Sequence, residues 1–244
     1  MSFVIAILIV ALACVVLRNL IRTVPWLFYV LAVAVVVLYF VVPTNILPRV
    51  LNSALLFSIG RCHVPIAMFA VVMYIGLFPE SSAARRWMQP VRGPLSIIAC
   101  ILTVGHMINY AVLFLPRMFT TSALSTSVFA SLVISLVLFA LILVLGITSF
   151  DFVKKAMTAN TWKKIQRWAY LFYALAYAHL VLILLPAAVS GGMNAIENCI
   201  AYTVVFGVYA VARVVMAVRE RAAERVLDSA AEGAEELDTD LAGA

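Results

Sequence analysis

Charged residues are scarce in this sequence, 11% against 66% hydrophobic, where a soluble domain has roughly a quarter charged and about half apolar. That scarcity excludes an ordinary soluble enzyme. Glycine is also sparse, 10 in 244 residues, and no G-x-G-x-x-G or P-loop spacing offers a cradle for a dinucleotide or triphosphate phosphate. No loop is long enough to form a separate domain, so a redox cofactor has to sit within the helices or arrive on a partner. Cys14, Cys62, Cys100 and Cys199 lack C-x-x-C pairing and read as small apolar packing residues. Cys62 and Cys199 both fall near outer helix ends, where a disulfide would require a closeness that spacing does not define. No Lys or Arg precedes the first apolar run, which argues against a secretory signal peptide in spite of the "ALAC" ending at Cys14.

What the chain does have is apolar runs. Crossing about 30 Å of hydrocarbon takes about 20 predominantly apolar residues in a helix, and seven candidates occur at 2–17, 25–43, 55–78, 94–115, 127–147, 168–187 and 196–218. The expected fold is therefore an all-α integral membrane bundle of about seven transmembrane helices. Basic residues collect in cytoplasmic loops, and 14 of the 17 fall at 18–22, 85–92, 154–167 and 213–225. This pattern puts the N-terminus outside and the C-terminus in the cytoplasm of a multi-pass plasma-membrane protein. The net charge of +6 is then a topology signal, the partner is the lipid bilayer, and no nucleic-acid motif is present. Residues 219–244 hold most of the acidic side chains and are expected to extend the last helix briefly before fraying into a cytoplasmic tail, with a docking role as a weaker option.

Histidine is rare too, three residues in all, and each lies in a predicted span. An ionisable residue in a span is costly and marks a site by default. His106 precedes Pro116 by ten residues and His179 precedes Pro186 by seven, about 15 Å and 10 Å along their axes. On helices expected to run the same way, the two lie at similar depth in the outer half of the bilayer. Such a pair either bonds across helices or clamps one metal centre, for which haem iron suits two imidazoles and zinc lacks its remaining ligands. Ala99, Gly105, Ala176 and Ala178 are small neighbours, and Tyr110, Phe172 and Tyr173 are flat ones. His63, at the outer interface, is expected to be solvated by water, with a second haem or quinone site as the sharper option. Arg61, Arg92 and Arg167 are candidate contacts for haem propionates, or simply loop charges at lipid headgroups. Trp162 and Trp168 read as interfacial aromatics.

Across about 58–187, the chain has Gly60 and Arg61 before one helix, Pro79 at its end, and a basic loop from Arg85 to Arg92. Gly93 and His106 follow in the next helix, then Thr148 and Ser149, and then Trp162, Ile165, Tyr170 and His179. In this combination the chain resembles the ferric reductase-like transmembrane domain. It is most similar to the short bacterial members, haem-binding membrane subunits of periplasmic methionine sulfoxide reductase systems. The resemblance implies a haem-binding bundle at 55–218 behind two N-terminal helices at 1–54, with b-type haem held by His106 and His179. The implied function is a membrane cytochrome, the electron-transfer subunit of an oxidoreductase system. It would pass electrons from quinol or a cytoplasmic flavoprotein to an outer-face acceptor or partner reductase. Many members carry a histidine where this chain has Gln166, a poorer iron ligand, so one haem is expected and Gln166 marks a secondary haem or quinone position. A cofactor-free scaffold or small-solute transporter retaining the fold is the alternative.

Overall fold

The computed structural model of the protein describes residues 2–43, 45–118 and 125–242, with side chains for all of these except 115, 118, 223, 224 and 226–242. Among the described residues the chain is helical, with no strand. Helices α1 (Ser2–Val16), α2 (Arg18–Thr23) and α3 (Pro25–Val41) come first. Pro25 opens α3, where a missing amide hydrogen costs nothing. Helix α4 (Arg49–Leu55) runs into a wider π turn at Leu56–Gly60 and then, after a break, into α5 (His63–Ile75). There follow α6 (Ala83–Met118), α7 (Thr126–Ile147), α8 (Asp151–Lys155), α9 (Ala159–Gln166), α10 (Trp168–Val189) and α11 (Met193–Ala242). Residues 1–206 make one compact unit and 207–244 a second.

Among the described residues four helical stretches are long and apolar enough to cross a membrane: Ala83–Phe114, Thr126–Ile147, Ala159–Val189 and Met193–Ala222. The pair Arg49–Gly60 and His63–Ile75, bent by 53° at its break, makes a fifth if counted as one broken span. Helices of this length and apolarity make this a membrane protein. The first two runs are helical yet only 15 and 17 residues long, about 22 and 25 Å at 1.5 Å per residue, short of the hydrocarbon thickness. The third run is not a straight helix, because it contains the break. The last helix continues to Ala242, in keeping with the helix-forming alanines and glutamates of that stretch. Docking by the acidic side chains of 226–242 lies outside the described residues.

Helix α5 is the centre of the first unit, with nine of its residues buried. Helix α1 lies against it through Phe3, Ala6, Val10 and Cys14, the residues it buries at helical spacing, while Val4, Leu8 and Leu12 face outward. An apolar face on each side is what a helix between protein and lipid requires. Helix α3 packs on α6 through Ala32 against Ile98 and Leu102, with Val36 at the edge of the cluster. A Cβ at Gly105 would come within 2.9 Å of Val36, so the glycine allows the close approach of these two helices. Helix α7 contacts both α6 and α10. The turn from α10 to α11 uses Gly191 at φ +88° and Gly192, where a Cβ would meet the Ala187 carbonyl at 2.8 Å. So short a turn makes α10 and α11 neighbours. All four cysteines are free thiols.

Candidate histidine site

The site begins with a proline. Pro65 has no amide hydrogen to give the carbonyl four residues back, that of Arg61, and its ring would crowd that carbonyl. The helix through 49–60 therefore cannot continue as α5. Its last turn widens, with the Arg61 amide donating to the Leu56 carbonyl at 2.7 Å. Cys62 then adopts a left-handed conformation at φ +57°, and α5 restarts at His63. In an unbroken helix the Ile59 carbonyl would accept the His63 amide. Here it accepts the Nδ1–H of His106 at 2.7 Å.

That bond fixes the chemistry of His106. A carbonyl only accepts, so Nδ1 carries the ring proton and Nε2 keeps its lone pair. His179 is held in a similar way by α7. Its Nδ1 lies 2.8 Å from Ser131 Oγ and 3.2 Å from the Ser131 carbonyl, and Ser131 is 1% exposed. The Nδ1–H tautomer satisfies both contacts, with the carbonyl and the hydroxyl as its two acceptors. The imidazoles of His106 and His179 lie within electrostatic range of each other. Both are partly buried. The arrangement therefore offers two unprotonated Nε2 atoms, each backed by an oxygen that orients its ring, as in metal sites where a further hydrogen bond fixes the ligating histidine. Among the described residues no group of three or more His, Cys, Asp or Glu could hold a bare metal ion.

The ring of Tyr110 packs on His106 at 4.7 Å, Phe114 stacks on Tyr110 at 5.8 Å, and the Arg117 guanidinium sits 5.5 Å from Phe114. At four-residue steps these rings follow one face of α6 away from His106. Arg61 is exposed and within electrostatic range of Tyr110 and His63, which places it near this end of the bundle. The flat residues named from sequence have separate partners: Phe172 packs edge-on to Phe69, and Tyr173 stacks on Phe206.

His63 is not at a wet interface. It is 6% exposed, its Nδ1 is 2.8 Å from the Tyr202 hydroxyl, and Phe57 lies at 5.0 Å. Tyr202 in turn packs on Phe3 at 4.0 Å, and Asn198 Oδ1 accepts the Phe3 amide at 3.4 Å. Solvation fails as an account because α1 and α11 cover this corner of α5.

Gln166 and Arg92 belong to the other end. Arg92 precedes His106 by 14 residues and Gln166 precedes His179 by 13, about 20 Å along the helix axes. They line one cavity of about 60 Å³ with Ser96, Ser149 and Tyr173, a space for a few waters and too small for a macrocycle. The Gln166 amide donates to Thr148 Oγ1 at 3.1 Å, and Trp162 Nε1 donates to the Thr148 carbonyl at 3.0 Å. Trp162 also lies under Lys154 at 4.5 Å. Thr148, Trp162 and Gln166, read from sequence as separate motif positions, thus join the end of α7 to α9. Arg167 and Trp168 are exposed. At this distance, Arg92 and Arg167 belong to the Gln166 end of the bundle and Arg61 to the histidine end.

Sequence reasoning missed Ser131 and the Ile59 carbonyl. The first had a signal, since Ser127, Ser131 and Ser135 recur every fourth residue on α7 and so share one face. The second is a main-chain atom whose only trace in the sequence is Pro65.

No protein-family model matches the chain, and no solved structure matches it. An uncharacterized protein of Treponema pallidum (strain Nichols) is 40% identical over 166 residues, 68% of this chain and 46% of that protein. The chain thus spans about half the length of this curated relative.

Proposed function

We propose that the protein is a membrane cytochrome in which His106 Nε2 and His179 Nε2 are the axial ligands of one b-type haem, serving as an electron-transfer subunit of an oxidoreductase system. The observation that carries this reading is the matched state of the two rings. Each has its Nδ1 proton directed at a carbonyl of a neighbouring segment, which leaves each Nε2 as a neutral donor. A bis-imidazole haem supplies one-electron exchange between ferric and ferrous iron. The chain's part is to hold both rings in one tautomer, to raise their basicity through the Nδ1–H bonds, and to keep water away. Arg61 is the arginine suited to a propionate at this end.

The row Tyr110, Phe114 and Arg117 supports delivery toward the outer end of α6, to an acceptor or a partner reductase. A donor docked at the Arg92 and Gln166 end would stand about 20 Å along the axes from the histidines. Because electron transfer weakens steeply with distance, this favours a lipid-soluble quinol that approaches the histidines from within the bilayer over a flavoprotein confined to the cytoplasmic face.

The test is the absorption spectrum of protein purified from haem-replete cells, oxidised and dithionite-reduced. A Soret band and a sharpened reduced α band are expected, both lost in His106→Ala and in His179→Ala but kept in His63→Ala. A wild-type protein with no Soret band overturns the proposal in favour of a cofactor-free scaffold or small-solute transporter.

A further inference from the structure

The break between Gly60 and Pro65 has more structure than a proline interruption requires. Pro65 alone explains why a helix cannot pass through Arg61, but a simple kink would leave the carbonyls ahead of it directed along the old axis. Instead the last turn is widened, the helix pair is bent by 53°, and Cys62 is, among the described residues, the non-glycine residue with positive φ. A side chain is disfavoured in that conformation, and strain of this kind persists where the surroundings over-determine it.

The surroundings here are α6. The Ile59 carbonyl on one side of the break accepts from His106. Cys62 Sγ lies 4.0 Å from Thr103 Oγ1, and the Thr103 hydroxyl proton is already given to the Ala99 carbonyl at 2.8 Å, so the thiol is the donor in that weak contact. Thr103 and His106 are three residues apart, on one face of α6. The break is therefore tied to α6 at two neighbouring points, one of which is the nitrogen that decides the histidine's tautomer.

We propose that the Gly60–Pro65 break is a positioning device for His106, and that Cys62 is its positioning residue. The left-handed turn at Cys62 holds the Ile59 carbonyl off the path of α5 and against His106 Nδ1, so that Nε2 stays unprotonated. What that lone pair is used for rests on the haem reading. The positioning itself does not, so the two are tested apart.

The measurement is the ¹⁵N spectrum of histidine-labelled, haem-free protein in lipid nanodiscs. With three histidines in the chain, single His→Gln variants assign every ring. In the wild type His106 is expected as the Nδ1–H tautomer. Cys62→Gly and Cys62→Asn, residues that accept left-handed backbone, should keep that signal. Cys62→Val, whose branched side chain does not, should lose it while His179 and His63 keep theirs. Pro65→Ala is the second arm, because it restores the amide that lets the helix run on and lets His63 N–H compete for the Ile59 carbonyl. It should also lose the His106 signal, and it decides the matter alone if Cys62→Val does not fold. Folded Cys62→Val or Pro65→Ala protein with an unaltered His106 tautomer overturns the proposal, as does a wild-type His106 in the Nε2–H form. A wild type without a Soret band would instead overturn the haem reading and leave this result standing.

Discussion

Ser131→Ala removes one hydroxyl from a residue that is 1% exposed and takes away the 2.8 Å contact to His179 Nδ1. A buried donor left with no partner costs about 1–3 kcal/mol. Here the ring proton still has the Ser131 carbonyl at 3.2 Å, so the loss should be nearer the value for an interhelical bond in a membrane, about 0.6 kcal/mol on average and about 1.7 at most. Only the part of that energy that differs between ferric and ferrous iron moves a potential, so with about 1 kcal/mol as its ceiling and a tenfold change as about 59 mV for one electron, the potential of the proposed haem should move by no more than about 40 mV. The sign follows from the donor. An Nδ1–H bonded to oxygen makes Nε2 more basic and favours ferric iron, so weakening that bond should raise the potential. Spectroelectrochemical titration of wild type, Ser131→Ala and Ser131→Cys reads it, with the cysteine variant falling between because sulfur is a weak acceptor. A potential unchanged within about 10 mV, or one that falls, refutes the assignment of Ser131 as the acceptor that sets His179.

Two further predictions test the packing around the site. Gly105→Ala places a methyl group within 2.9 Å of Val36 and should cost about 1–3 kcal/mol by overpacking; Val36→Ala should recover most of it in the double variant, and additive losses in detergent unfolding would show that α3 and α6 do not meet there as described. Gln166→His removes the amide bond to Thr148 Oγ1 and should lower stability by about 1 kcal/mol without adding a haem at that end, because the cavity of about 60 Å³ has no room for a macrocycle; pyridine haemochrome analysis showing more haem per protein than in the wild type would refute this.

The histidines were legible because rarity and depth are sequence properties: three imidazoles in a chain this apolar stand out, and counting to Pro116 and Pro186 places two of them. Their partners were far less legible. Ser131 looks like any small residue of α7 until its hydroxyl and carbonyl are seen beside His179, and burial in a membrane bundle does not show in an apolar pattern, since lipid-facing and protein-facing positions are equally apolar. The same ambiguity explains the reading of His63 as solvated. Its place at a helix start suggested water, whereas Tyr202, itself packed on Phe3 from the opposite end of the unit's sequence, lies against it.

By itself the sequence determined the solvent. Its composition rules out a water-soluble core, and the 3.6-residue geometry turns each apolar run into a helix whose backbone bonds are satisfied internally. Local chemistry also set where helices stop, as at Pro65 and at Gly191–Gly192. What only the tertiary structure decided is which nitrogen of each histidine keeps its lone pair. That depends on an acceptor 47 residues away for His106 and 48 away for His179, a main-chain carbonyl freed by a break in one case and a buried serine in the other. A hydrogen bond needs its two atoms within about 3 Å at a suitable angle, and only the packing of α5 and α7 around α6 and α10 brings them there.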